Sequence, residues 1–281
     1  MRHGQPVAPY AVEPPQGGLT GMSTVEILLV LGSGGVIGLV LGLVGGGGSI
    51  LAVPLLVYVV GVGSTHAAIG TAAVAVAANA IAGLIGHARA GTIKWRCAAV
   101  FAAAGVFGAA IGAEAGKAFD GQKLLMLFGL LMIGVGLTML RTRRGIEMPG
   151  VRLTRESAAT LLPRLVPIGL AVGLAAGFFG IGGGFLIVPG LILATAMPLR
   201  MAVGTSLVVV AALGLTTATS YALSGYIDWT MVALLVLGGL GGAAVGIVLG
   251  RRLASRKGLL ERVFAGVVIL AGGYVVMRGF Y

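Results

Sequence analysis

The sequence is nearly free of cysteine and poor in acidic residues. Cys97 is the single cysteine among 281 residues, which excludes an intrachain disulfide and a zinc site built from cysteines. The 8 Asp and Glu residues form no metal-ligand cluster with His or Cys and no hydrolytic triad with Ser and His. We therefore predict no bound metal, no cofactor and no enzyme activity.

Charged residues of either sign are scarce. They make up 10% of the chain, against about 25% in an average soluble domain, and hydrophobic residues make up 58%. A soluble chain could not cover its surface with so few polar groups, whereas a surface that faces lipid should be apolar. The formal net charge of +11 lies in short clusters between apolar runs. This pattern predicts a lipid bilayer, and not nucleic acid, as the partner.

Long apolar runs fill most of the chain and predict an all-α polytopic membrane protein. Most runs approach the about 20 residues that a helix needs to cross a bilayer. The second run of each half is short and starts at a glycine cluster, so it is a half-helix, a re-entrant segment or a short tilted span. The total is eight to ten membrane segments. The runs are Val25–Val44, Ser49–Val60, Ala67–His87, Trp95–Ala113, Leu124–Leu140, Leu165–Phe179, Phe185–Ala196, Met201–Leu223, Trp229–Leu249 and Leu259–Met277.

The two halves repeat each other. Gly42–Pro54 matches Gly177–Pro189 in the position of its glycines and its final Val-Pro. Such a match at two sites indicates an internal duplication. We predict a disordered tail over residues 1–24, a first membrane repeat over 25–141, a basic cytoplasmic linker over 142–164 and a second repeat over 165–281. A constant offset of 134 positions pairs Ala68–Thr71 with Ala202–Thr205 and Trp95 with Trp229, the two tryptophans of the chain.

Loop charge predicts how the repeats are oriented. Positive loops mark the cytoplasmic side, which places the arginine-rich segment 141–164 and the loops 89–96 and 251–262 inside. The loops 114–123 and 223–230 then lie outside, and they are neutral or acidic. Equivalent loops therefore have opposite charge character, as expected when two repeats cross the membrane in opposite directions. We predict an inverted-topology repeat with both termini outside.

The glycine clusters are the first candidate binding site. Consecutive glycines are poor in a helix interior, so each cluster predicts a helix break. The helix that follows a break aims free N–H groups and its positive dipole end at the gap, which favours an anion. Paired breaks in two repeats are typical of a transporter substrate site, although close helix packing or a tight turn is the alternative. The candidates are Gly45, Gly46, Gly47, Gly48 and Ser49 in the first half and Gly180, Gly182, Gly183 and Gly184 in the second.

Other polar and proline positions extend this candidate site. Pro54 and Pro189 follow the clusters and supply either hinges or tolerated kinks. His66 and Arg200 occupy equivalent positions, where a cation would attract an anion or lie as an ordinary interfacial residue. Asn79 lies inside an apolar run and should face the bundle interior. Thr71 and Thr205 complete the set of candidate substrate-binding residues.

The duplicated glycine motifs resemble those of the sulfite exporter TauE/SafE family. The resemblance rests on Gly45–Pro54 and Gly180–Pro189, followed by the Ala-Ile-Gly-Thr and Ala-Val-Gly-Thr stretches, and it extends from about Val25 onward. It implies a multi-pass permease of the bacterial inner membrane that exports sulfite or a related organosulfur anion. The N-terminal tail and the basic linker lie outside the motifs.

Together these features predict a secondary transporter that binds a small anion between the two breaks and works by alternating access. They do not decide whether transport is coupled to protons. A passive anion channel is the first alternative, because it needs only a continuous wet pore. A non-transporting scaffold is the second, because stripes of small residues could face a partner, a second copy in a homodimer, or the seam between the halves. These stripes are Gly105, Gly108, Gly112 and Gly116, and Gly239, Gly242, Gly246 and Gly250.

Overall fold

The chain folds into a bundle of helices, as the composition predicts. The computed structural model describes residues 22–44, 46–141, 153–180, 184–252 and 257–279, and these contain helices without strands. Seven helices are long and apolar enough to cross a membrane, and three apolar segments are shorter. The helices are α1 Thr24–Val44, α2 Gly46–Val60, α3 Thr65–Arg89, α4 Trp95–Lys117, α5 Gly121–Arg141, α6 Arg155–Phe179, α7 Gly184–Thr195, α8 Leu199–Leu223, α9 Trp229–Arg252 and α10 Lys257–Gly279.

Helix α2 is irregular along its whole length. It begins as a 3₁₀ segment over Gly46–Leu51, continues as one α-helical turn over Ala52–Pro54 and ends as a π-helical segment over Leu55–Val60. Gly61 then ends the helix in the left-handed conformation, with φ of +86°. The proline and the glycines deprive this segment of regular α-helical bonding, so the predicted break is a real irregularity of the backbone.

The helices of the two repeats interlock. The most extensive contacts pair α1 with α9 and α4 with α6, so the first helix of each repeat packs on the fourth helix of the other. Helices α3 and α8, which are equivalent, pack on each other, and so do the equivalent helices α5 and α10. Every one of these pairs therefore has its counterpart when the repeats are exchanged.

The equivalent helices run antiparallel. Along α3 and α8, Gly70 lies against Tyr221 and Gly83 lies against Leu207, so the two helices run in opposite directions. In contrast, α4 and α6 run parallel, because residues further along α4 meet residues further along α6. The pair α1 and α9 repeats this parallel arrangement.

Glycine allows the parallel pairs to approach backbone to backbone. A Cβ at Gly112 of α4 would lie 2.7 Å from the Phe178 nitrogen of α6, and one at Gly42 of α1 would lie 2.6 Å from the Ala243 oxygen of α9. Real Cβ atoms do not make such contacts, so only glycine fits. In the stripes of α4 and α9, Gly108, Gly112 and Gly116 thus face α6, and Gly242 and Gly246 face α1, within the chain itself.

Two ends of the bundle can be defined by their loops. At the Asp228 end, the Asp228 N–H donates to Thr71, and Gln122 at the start of α5 donates to the Gly279 carbonyl at the end of α10. At the Lys94 end, the Lys94 N–H donates to Thr205, and Arg96 donates to the Leu153 carbonyl just before α6.

Candidate functional site

The helices that follow the two glycine clusters pack against each other. The 3₁₀ segment of α2 packs against α7, the equivalent helix of the second repeat. Gly47, Gly48, Ser49 and Gly184 are buried. Gly46 begins the 3₁₀ segment. The predicted site residues Gly45, Gly182 and Gly183 lie outside the described residues.

Packing explains two glycines of the breaks. A Cβ at Gly48 would lie 2.7 Å from the Leu41 nitrogen of α1, so this part of α2 rests directly on the α1 backbone. Gly180 ends α6 in the left-handed conformation, with φ of +66°, and its α-carbon faces the side chain of Ile69. These glycines are needed for the fold, whatever else the breaks bind.

The two candidate hinge prolines have different surroundings. Pro54 is buried at the end of the α-helical turn of α2, immediately before the π-helical segment. Pro189 lies inside α7 with its ring exposed. The role of both as hinges stays a prediction.

Thr71 and Thr205 make equivalent hydrogen bonds across the repeats. The Thr71 hydroxyl accepts from the Asp228 N–H at 3.1 Å, at the start of α9. The Thr205 hydroxyl accepts from the Lys94 N–H at 3.0 Å, at the start of α4. Each threonine satisfies a backbone donor that a helix start leaves free. The threonine of each Gly-Thr motif therefore links its own repeat to a loop of the other repeat by a hydrogen bond.

His66 and Arg200 lie at opposite ends of the bundle. The His66 ring faces Tyr226 and Tyr221, with ring centroids 5.6 Å and 6.3 Å away. Arg200 is exposed at the Lys94 end, near His87. The fold therefore does not bring the two predicted cations together at one site.

Asn79 is buried at the middle of α3, against α9. Its side chain is 2% exposed, and its Oδ1 has no hydrogen-bond partner. A Cβ at Gly239 would overlap its amide, so the glycine of α9 makes room for this side chain. Burying an amide oxygen without a bond is costly, which marks Asn79 as a candidate for contact with a polar group that donates to it.

Sequence reasoning missed other buried polar groups. The hydroxyls of Ser33, Thr217 and Tyr221 are buried and have no hydrogen-bond partner. Tyr221 is the counterpart of His87 at the offset of 134 positions. This alignment of two polar residues near helix ends is the sequence feature that could have indicated Tyr221 as a candidate. Burial itself depends on the packing of α3 on α8, which no local pattern shows.

A polar network joins α4 and α8 at the Asp228 end of the bundle. Lys117 of α4 forms an ion pair with Glu114 at 2.8 Å and also donates to Ser224 of α8 at 3.1 Å. Ser220 of α8 donates to the same Glu114 carboxylate at 2.8 Å. The network joins a helix of the first repeat to a helix of the second.

A cleft opens at the Lys94 end. It has a volume of about 460 Å³ and lies between the loop that precedes α4 and the start of α6. Lys94 and Arg96 give its wall a positive charge, and Trp95 and Thr154 line it as well. The two ends of the bundle thus differ, one joined by a polar network and the other open to a basic cleft.

The chain is similar to membrane proteins of bacteria. The sequence profile described as "Sulfite exporter TauE/SafE" matches residues 30–275. A protein of Xylella fastidiosa (strain 9a5c) named "Probable membrane transporter protein" is 48% identical over 257 residues, which cover 92% of this chain and 97% of that protein. "Probable membrane transporter protein YunE" of Bacillus subtilis (strain 168) is 26% identical over 91% of this chain and 98% of its own length. No solved structure matches the chain.

Proposed function

Because this chain belongs to the sulfite exporter TauE/SafE family, we propose that it is a secondary transporter of the bacterial inner membrane for sulfite or a related organosulfur anion. The family and the names of the relatives support a membrane transporter rather than an enzyme. The two repeats have inverted topology in this proposal, which the antiparallel packing of the equivalent helices α3 and α8 supports.

One observation carries the proposal. The irregular helix α2 packs against α7, its equivalent in the second repeat, and Gly47, Ser49 and Gly184 are buried. Irregular backbone at membrane depth is tolerated only inside protein or beside a wet cavity, and the first N–H groups of a helix have no acceptor within that helix. An anion bound there would accept from these donors, and an amide N–H of Asn79 in α3 would add a further donor.

Alternating access would then move one repeat against the other. The polar network at the Asp228 end would break as α4 and α8 separate, while the basic cleft at the Lys94 end would close. The scaffold alternative loses its main support, because the glycine stripes of α4 and α9 pack inside the chain.

Flux measurements in liposomes test this function. The purified protein is reconstituted, and flux of sulfite, sulfoacetate, sulfate, thiosulfate and lactate is recorded with and without a pH gradient. A transporter gives saturable flux of one sulfur anion, and dependence on the gradient would indicate proton coupling. A channel gives flux that does not saturate. Folded protein that carries none of these anions would contradict the proposal.

A glycine substitution tests the site. Gly47→Leu places a bulky side chain in the buried break and should abolish flux while the protein still inserts and folds. Gly134→Leu is the matched control, because a Cβ at Gly134 meets nothing within 4 Å. Equal flux in both variants would refute the assignment of the break as the binding site.

A further inference from the structure

One interface collects buried polar groups that the fold leaves without partners. It lies at the Asp228 end, between the first turns of α3 and the last turns of α8. His66 and Gly70 lie on one face of α3, and Gly70 contacts Tyr221. On α8, Thr217 and Tyr221 share one face because four residues make about one helical turn. Three polar side chains therefore point into the same contact.

Each of these three side chains has an unsatisfied atom. Tyr221 Oη and Thr217 Oγ1 have no hydrogen-bond partner, and both residues are 0% exposed. His66 Nδ1 is also buried without a partner. A buried hydroxyl that makes no bond costs about 1–3 kcal/mol, so a fold does not gather several of them for stability alone.

The rings form a compact group around these atoms. The centroid of Tyr221 lies 6.1 Å from that of Tyr226 and 6.3 Å from that of His66. Thr217 lies one turn deeper into the bundle than Tyr221. The backbone positions of the two residues are therefore about one helical turn, roughly 6 Å, apart along α8.

Neighbouring threonines show that the lack of partners is particular to this face. Thr216 donates to the Ala212 carbonyl at 2.9 Å, and Thr219 donates to the Leu215 carbonyl at 2.8 Å. Such bonds to the preceding turn are the ordinary solution for a threonine in a helix. Thr217 lies between them and does not make one.

The other end of the α3 and α8 pair lacks this arrangement. The counterpart of Tyr221 is His87, whose Nδ1 lies 3.0 Å from the Thr92 hydroxyl. The counterpart of Thr217 is Gly83, which has no polar side chain. The duplicated backbone is present at both ends, so the fold alone does not demand the unpartnered groups.

We propose that Tyr221, Thr217 and His66 form a binding station for a small oxyanion at the Asp228 end of the transport route. This assignment rests on the anion transport proposed above and adds a second substrate position to the helix breaks. The two hydroxyls donate to oxygens of the anion, and His66 donates from Nδ1 in the tautomer that carries the proton on that nitrogen. A ligand that supplies several acceptor oxygens satisfies all three groups at once.

Two substitutions that remove only a hydroxyl test the station. Tyr221→Phe and Thr217→Val keep the size of each side chain, and Thr216→Val is the control, since its hydroxyl has a partner within α8. Wild type and variants are purified, their thermal unfolding is followed with and without sulfite, and the KM of sulfite flux is measured in liposomes. Sulfate and thiosulfate serve as further probes.

The expected result separates binding from structure. Tyr221→Phe and Thr217→Val lose no internal bond, so without anion they unfold at the same temperature as wild type or higher. They also lose the anion-dependent rise in unfolding temperature, and their KM rises by about tenfold or more, as the loss of a bond to an ion implies. Thr216→Val keeps the KM within about twofold of wild type.

Other outcomes overturn one proposal or both. If wild type transports an anion and all variants keep its KM and its thermal shift, the station is wrong and the transporter stands. If wild type carries no anion of the panel, the proposed function fails. In that case a thermal shift by sulfite that depends on Tyr221 and Thr217 still supports the station, and its absence refutes it.

Discussion

At the scale of single residues, Thr71 and Thr205 show how the repeated motif works. Both were expected to bind substrate, and in the structure both accept a hydrogen bond from a backbone N–H of a loop that precedes a helix. Thr205 is 0% exposed and Thr71 is 2% exposed, so no water replaces these bonds. Their role in substrate binding stays a prediction, whereas their bonds are part of the fold.

Removing these hydroxyls should destabilise the protein. In Thr71→Val and Thr205→Val the N–H groups of Asp228 and Lys94 lose their acceptor in a buried setting, at a cost of about 1–3 kcal/mol for each variant. Thermal unfolding of the purified protein, followed by circular dichroism, measures the loss.

Serine provides the control for this prediction. Thr71→Ser and Thr205→Ser keep the hydroxyl and should retain most of the stability that the valine variants lose. If the valine and serine variants unfold at the same temperature, the hydrogen bonds contribute nothing and the prediction is wrong.

At the scale of helices, glycine seams hold the two repeats together. Gly108 and Gly112 of α4 lie directly on the backbone of α6, and Gly38 and Gly42 of α1 lie on α9. Without a hydrophobic force between helices in lipid, such close backbone packing supplies much of the attraction. The same pattern was compatible with a partner surface in sequence, and the folded chain uses it internally.

A side chain in a seam should separate the helices. In Gly112→Val the added atoms would meet the Phe178 nitrogen and the Leu174 carbonyl of α6, and backbone cannot move aside as a flexible side chain can. We expect a loss of about 3 kcal/mol or more, at or beyond the upper range for overpacking. The yield of folded protein in the membrane and its unfolding temperature in detergent measure the effect.

The matched control for the seam is an open glycine. Gly134→Val adds the same atoms on α5, where nothing lies within 4 Å of the new Cβ. It should fold with nearly wild-type stability. Equal losses in the two variants would mean that helix propensity, and not the seam, decides the outcome.

Helix length also matters at this scale. Helix α7 has 12 residues, so it is about 18 Å long, shorter than the roughly 30 Å of a hydrocarbon core. It packs against α2, α6 and α8, so its polar ends are covered by protein. A short helix is stable in the bundle for this reason, and it would not be stable alone in lipid.

At the scale of the whole molecule, both ends of the described chain lie at the same end of the bundle. Gly279 of α10 accepts from Gln122 at the start of α5, and the start of α5 packs on Thr65 of α3. The start of α1 runs parallel to α9, which begins after Asp228. The Asp228 end therefore holds the first and the last helix ends.

Loop charge assigns a compartment to each end. Arg89, Arg96 and Arg155 lie at the Lys94 end, so the Asp228 end should face outward. In a chain with Cys97→Ala, we expect Ser23→Cys and a cysteine added after Tyr281 to react in intact cells with a maleimide that cannot cross the membrane. Thr154→Cys, at the Lys94 end, should react only after the cells are opened. If Thr154→Cys alone were labelled in intact cells, the protein would have the opposite orientation.

Composition and periodicity determined much of this protein without a structure. The scarcity of charge required a lipid surface, the length of the apolar runs required helices, and the offset of 134 positions required two equivalent units. The first glycine cluster predicted the irregular start of α2. These features depend on local chemistry and on repetition, both of which the linear sequence contains.

Only the tertiary structure decided which residues share a surface. It separated His66 from Arg200 by the length of α3 and α8, turned the glycine stripes inward and exposed the unpartnered hydroxyls of Thr217 and Tyr221. The reason is that, in lipid, shape and hydrogen bonds between distant segments decide which helix faces pack together. A difference in hydrophobicity between faces does not decide it. Almost every face of such a helix is apolar, so the sequence does not reveal which face meets another helix.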